Sequence, residues 1–311
     1  MEVHRFSTLC QELSDMGVGI IEISGGGEPL HHPQATELLT NIREMRNAGL
    51  LKSEIGLLSN LEALVDCDFS SVLLDSLTYV RWSWPESAEL QPSLRAKYLL
   101  ALQGFISSKA TSRSGVRVGV KILLTKNSAS HLIELCQLVR QLFEIGIDHV
   151  KIRSLRSKGQ LSSPDMDQVR HAEDHLAQLA YELHEEGLVK DEKSFEIDLR
   201  ARNVHAGYQC KISTLVSVVE PTGDVRMCWN DLGAASHRVI GNVFSGGFRD
   251  IWGTSRHRRV CQTMDAASVC NTEAGCDCRL VGYQETAQRF VNWELPYQFG
   301  DFPLVLKDQF L

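Results

Sequence analysis

Between residue 18 and about residue 199, short apolar runs alternate with longer stretches in which apolar residues recur every three or four positions. The short runs are "GIIEIS" (19–24), "EIGLLS" (54–59), "TYVRWSW" (78–84), "VRVGVKILL" (116–124), "HVKIRSL" (149–155) and, more weakly, "FEIDLR" (195–200). Their length and their β-branched and aromatic residues predict strands. Helical spacing predicts helices from Ala35 to Arg46, Ser93 to Ile106, His131 to Phe143 and Met166 to Glu185, with a weaker one from Leu61 to Cys67. Strands that are apolar almost throughout, each followed by a helix, predict an α/β fold whose parallel sheet is buried on both faces. A barrel, a partial barrel and an open doubly wound sheet all satisfy this pattern.

Past about Arg202 the helical periodicity fades and cysteines and glycines rise. "LVSVVEPTGDVRMCW" predicts a β-hairpin turning at Pro221-Thr222-Gly223-Asp224. The chain therefore divides into a larger βα unit, residues 1–203, a smaller module, 204–290, and a tail, 291–311.

Composition narrows the function. With 311 residues, 43% of them hydrophobic and 23% charged, the chain can bury a large core. A net charge of −7 removes the basic surface that sequence-independent nucleic-acid binding requires. The run Arg256-His257-Arg258-Arg259 is accordingly read as a solvated helix face. There is no apolar stretch of membrane-spanning length and no signal-peptide core at the N-terminus, so neither a membrane nor nucleic acid is an expected partner, and the chain is read as cytoplasmic.

Nine cysteines sharpen this picture. Cys10, Cys67, Cys136 and Cys261 are scattered and read as small hydrophobes, whereas Cys210, Cys228, Cys270, Cys276 and Cys278 crowd into the last third. Without a secretion signal, clustered thiols suggest metal ligands rather than disulfides. Soft-metal sites of this kind hold zinc or an iron–sulfur cluster. His171 and His175 stand one helical turn apart but off the apolar stripe, which suggests a solvated flank.

"IEISGGGEPLHHP" puts glycines, Glu28 and Pro29 at the carboxyl end of a strand, where α/β folds bind ligands. Glu28 is a charged acceptor suited to an ammonium group. The same residues also suit a plain strand-to-helix turn with an incidental acid. A triphosphate site is disfavoured, because no Gly-x-Gly-x-x-Gly or Gly-Lys-Ser/Thr is present and Glu28 would repel phosphate.

"GVGIIEISGGGEPLHHP" resembles the second strand and Gly-Gly-Glu-Pro motif of the radical S-adenosylmethionine enzymes. "IGLLSN", "TYVRWSW" and "VKILLTKNSASHLIELCQLVRQLFEIGIDHVKIR" are similar to later strands of that family. The resemblance implies a cofactor site of Gly26, Gly27, Glu28, Pro29, Asn60, Ser83 and Asn127, with Leu61 departing from the usual glycine. Cys210, twelve residues, Gly223, four residues and Cys228 resemble the signature of the SPASM/Twitch extension, as does "VIGNVFSGGFRDIW". The resemblance then implies an auxiliary [4Fe-4S] cluster on Cys210, Cys228, Cys276 and Cys278, with Cys270 as a substitute for Cys276. One cluster rather than two makes Twitch the closer label.

Only Cys10 precedes Gly25, so the family's Cys-x3-Cys-x2-Cys loop is not found, and "FSTLCQELSDMGV" looks like the helix that follows it. The expected fold is thus a partial (β/α) barrel missing its first strand, followed by a cysteine-rich α+β module. The implied activity of an intact form is cleavage of S-adenosylmethionine to a 5′-deoxyadenosyl radical that attacks a peptide or sugar-like small molecule, with a flavodoxin or ferredoxin as electron donor. The chain as it stands is expected not to make the radical. A non-catalytic iron–sulfur or zinc protein built on the same fold is the alternative.

Overall fold

The computed structural model describes residues 1–25, 27–66, 70–85, 91–154, 163–191, 194–198, 210–228 and 239–263. In chain order the described elements begin with α1 (Val3–Asp15), β1 (Ile20–Ile23), α2 (Ala35–Asn47), β2 (Glu54–Asn60), α3 (Leu61–Asp66), α4 (Ser70–Ser76) and β3 (Tyr79–Ser83). There follow α5 (Pro92–Ser112), β4 (Arg117–Leu124), α6 (Lys126–Ser130), α7 (Leu132–Glu144), β5 (His149–Ser154), α8 (Ser163–Glu185) and β6 (Phe195–Asp198). Beyond them lie β7 (Val218–Val219), β8 (Asp224–Arg226), β9 (Gly241–Asn242) and α9 (Ser255–Thr263). Contacts separate two compact units, one of Val18–Leu199 with Val305–Leu311 and one joining Met1–Gly17 to Arg200–Leu304.

In the first unit all six expected strands form, and they pair in parallel in the order β1-β2-β3-β4-β5-β6. The order never reverses, which excludes the doubly wound alternative. Parallel crossovers are right-handed, so a sheet wound in one direction receives all its helices on one side. Register shows what this does to composition. One face carries Ile55, Val80, Val118, Val120, Val150 and Ile152, none more than marginally accessible. The other carries Glu22, Arg81, Arg117, Lys121, His149 and Lys151, because side chains alternate with period two. Burial of two apolar faces, expected from the apolar look of the strands, is therefore corrected to one apolar face and one charged face.

Close packing governs Gly56 in β2. The Tyr79 ring lies across it, so a Cβ there would collide with the ring, and the Tyr79 hydroxyl donates to Glu22 Oε2 at 3.0 Å. Two short helices, α4 and α6, were not anticipated. α6 is made by its cap: Ser128 N donates to Thr125 Oγ1 at 3.2 Å and Thr125 N to Ser128 Oγ at 2.7 Å.

The second unit contains an antiparallel sheet, β7-β8-β9, whose first turn is the expected hairpin. Gly223 closes it at φ +87°, with its N–H on Glu220 O at 2.8 Å. α1 belongs to this unit. The Glu12 carboxylate accepts from Phe248 N and Arg249 N, each at 2.9 Å, at the start of the 3₁₀ turn Phe248–Asp250. Gly247 permits that approach, since a Cβ there would strike Glu12. Among the described residues no helix is long and apolar enough to cross a membrane.

Gly56→Ala is expected to destabilise the first unit by roughly 1–3 kcal/mol through overpacking against Tyr79. The pair Gly56→Ala, Tyr79→Leu should recover part of the loss in urea unfolding, because removing the ring makes room for the methyl. A single variant as stable as the parent would refute the packing argument.

Candidate ligand-binding face

At the glycine turn, Ser24, Gly25 and Gly27 are exposed, and Gly26 lies outside the described residues. Glu28 is half-buried and its carboxylate is engaged by its own chain. Its Oε1 accepts from Leu30 N at 3.0 Å and Ser59 Oγ at 2.5 Å, and its Oε2 from Asn60 N at 2.7 Å. One carboxylate thus caps the 3₁₀ turn Pro29–His31 and ties it to the end of β2. Pro29 occupies the first position of that turn, where no N–H is needed. Asn60 is also engaged locally, its Oδ1 accepting from Ala63 N at 3.0 Å at the head of α3. His31 is exposed, and His32 Nδ1 accepts from Gln34 N at 3.2 Å.

Asn60 and Ser83 nevertheless share one rung of the sheet, which continues through Lys121, Lys151 and Glu196. Ser83 is exposed at the carboxyl end of β3. Asn127, half-buried in α6, is not on that rung. The structure therefore groups two of the expected residues with charged residues that the motif reading passed over.

The charges are paired across strands. Lys151 Nζ donates to Glu196 Oε1 at 2.7 Å, Arg117 Nη2 to Glu54 Oε2 at 3.3 Å, and Arg81 Nη2 stands 3.8 Å from Glu22 Oε2. His149 Nε2 lies 3.9 Å from Glu196 Oε2. Burial, reinforced by Lys151 and Arg81, lowers His149 from the ordinary histidine value of 6.5 to about 3, so it is neutral near pH 7. Its Nδ1 is buried without a hydrogen-bond partner. The alternation that puts these residues on one face is visible in "RVGVKILL" and "HVKIRS", and it is the signal that could have found them.

The described residues do not assemble a metal centre. Cys210 and Cys228 are half-buried and not in disulfides, and Cys270, Cys276, Cys278 and Cys67 lie outside the described residues. No group of three or more His, Cys, Asp and Glu that could hold a metal occurs among the described residues. Cys10 behaves as a buried hydrophobe, its thiol pushed up to about 12 by burial. Cys261 is buried and raised chiefly by burial, with a further contribution from Cys210, so it is less isolated than its sequence position suggests. His171 and His175 are exposed, as expected. In the basic run of α9 the three arginines are exposed, while His257 turns inward against Trp252 and accepts from Gly253 N at 2.8 Å.

No family model matches the chain. No curated protein matches it either. Among solved structures it is similar to an HMG-CoA lyase from Brucella melitensis, at 15% identity and a TM-score of 0.35, over 55% of this chain and 60% of that one. The chain thus spans less than two thirds of that protein, and a likeness this slight carries no argument about activity. The assignment to the radical S-adenosylmethionine enzymes, with a SPASM/Twitch module, an iron–sulfur cluster and radical chemistry, is corrected. No family model and no curated protein supports it, and the described residues bring no set of metal ligands together. Physically, the motif that suggested it meets a local need, because the acid of Gly-Gly-Glu-Pro is held by three donors of its own chain.

Glu28→Ala should cost about 2 kcal/mol or more in urea unfolding, since it strands partly buried donors. Glu28→Gln should also destabilise, because its amide nitrogen would face a donor. Unchanged stability in both variants would return Glu28 to the pool of ligand-facing groups. A second test concerns pH. Folded His149 stays neutral down to about 3, whereas the unfolded chain takes up this proton near 6.5. Between those values the unfolded state binds more protons, so stability falls as pH is lowered through that window. His149→Gln should lose less stability than the parent between pH 7 and pH 4, measured as urea midpoints; an identical loss would contradict the assignment.

Proposed function

We propose that the first unit is a partial (β/α) barrel that binds a compact organic anion, carrying carboxylate or phosphate, on its charged face near the carboxyl ends of β2 to β5. The observation that carries this reading is the make-up of that face. By strand register it bears five cations, Arg81, Arg117, Lys121, Lys151 and Arg153, against four carboxylates, Glu22, Glu54, Glu196 and Asp198. This excess stands within a chain of net charge −7. Burying cations is costly, and Arg81 and Lys151 are almost fully buried. A sheet face needed only for packing would be apolar, like its opposite side.

Position supports the same reading. Parallel α/β sheets bind ligands where their strands end, and Ser83, Lys121 and Arg153 stand toward that edge, less buried than Arg81 and His149. Arg153 offers a planar fork of donors suited to carboxylate or phosphate, and Lys121 a point charge. Pairing within the face holds the cations in fixed geometry, so little order remains to be imposed when a ligand arrives.

Calorimetric titration of the full chain with small dicarboxylates, tricarboxylates and phosphomonoesters is expected to yield at least one saturable ligand. Its binding should weaken as salt is raised. Arg153→Gln should weaken it about tenfold or more, as loss of a charge-assisted contact implies. Indifference of every anion in the panel, or equal binding of the uncharged amide or ester of the ligand, would defeat the proposal.

A further inference from the structure

Leu58, Arg81, Gly119 and His149 form one rung across β2 to β5, immediately below the rung of Ser83, Lys121 and Lys151. Gly119 leaves a gap in it. A Cβ placed there would stand 3.5 Å from the His149 carbonyl oxygen, 3.6 Å from His149 Nδ1 and 3.7 Å from Arg81 Cγ, all ordinary contact distances. The gap is therefore walled by an imidazole and an arginine and is wide enough for a further atom.

The imidazole is not satisfied within the described protein. The His149 side chain is nine-tenths buried, and its Nδ1 has no hydrogen-bond partner. Leaving such an atom unpaired costs about 1–3 kcal/mol, so buried polar atoms are almost always met by a partner. The nearby Glu196 carboxylate favours the imidazole proton on Nε2, which leaves Nδ1 as a lone-pair acceptor. The gap thus offers an acceptor beside a guanidinium.

Building on the anion-binding reading above, we propose that the gap over Gly119 is the deep end of the ligand site and selects a 2-hydroxycarboxylate, whose hydroxyl donates to His149 Nδ1 while its carboxylate accepts from Arg81. A guanidinium carries five N–H donors, so Arg81 can serve both Glu22 and a ligand. A carboxylate without the hydroxyl, or a 2-oxo acid, brings no donor and leaves Nδ1 unpaired; that is the basis of selection. In a hydroxydicarboxylate the second carboxylate reaches toward Lys121, one rung and roughly 6–7 Å further along the sheet.

Malate and succinate separate this idea from the general one, because they differ only by the hydroxyl. On the full chain, one malate enantiomer is expected to bind at least tenfold more tightly than succinate. His149→Leu should bring that malate down to the level of succinate and leave succinate unchanged. Gly119→Ala, whose methyl fits without strain, should weaken malate tenfold or more with little change in thermal midpoint. Equal affinities in the parent, or a malate preference that survives His149→Leu, would overturn the hydroxyl site while anion binding that depends on Arg153 still stood. Absence of binding by malate, succinate and every other anion would overturn both.

Discussion

A parallel sheet wound in one direction has only one face to give to its helices. The rest of the first unit follows from that constraint. The side that receives the crossovers must be apolar, and Ile55, Val80, Val118, Val120, Val150 and Ile152 supply it. The side left over is free to carry charge, provided each charge finds a partner. Here the partners come from other strands: Glu22 for Tyr79 and Arg81 and Glu54 for Arg117, each two strands away, and Glu196 for Lys151 on the adjacent strand. Such pairs contribute little net stability when desolvation is counted, and removing one member is far costlier than never having had either. They hold side chains in place more than they hold the fold together, which suits the recognition role proposed for this face.

The chain also separates two uses of an acidic residue. Glu28 and Glu12 both spend their carboxylates on backbone N–H groups of short turns, each fixing one segment against another that is remote in sequence. Glu22, Glu54 and Glu196 instead balance cations on the sheet. Nothing in residue type distinguishes these jobs. Geometry does, through donors at 2.5 to 3.0 Å around Glu28 that a sequence cannot display.

This explains which parts of the structure were legible beforehand. The six strands and the longer helices were readable because apolar periodicity is a local signal extending over several turns. The helices α4 and α6 were not, since "SSVLLDS" and "KNSAS" are too short to show a period, and α6 depends on a cap between Thr125 and Ser128. Alternation in β4 did announce a polar face, but the valines and isoleucines between the charges made the strand look apolar on both sides. The glycine turn was legible as a turn and misread as a family emblem, because Ser59 and Asn60, which employ its acid, lie 31 and 32 residues further on. Gly119 and His149 were invisible as a pair for the same reason: only strand pairing brings them together.

The clasp between Glu12 and the backbone of Phe248 and Arg249 closes a loop of 236 residues. Contacts of such separation form late, because the entropy of bringing the ends together is met before the contact returns anything. On a ribosome, α1 leaves the exit tunnel long before its partner turn exists. Until that turn is made, the Glu12 carboxylate of the helix must wait without those two donors, while the six strands that follow can already pair with one another. A segment synthesised well before its partner is therefore among the last to be seated.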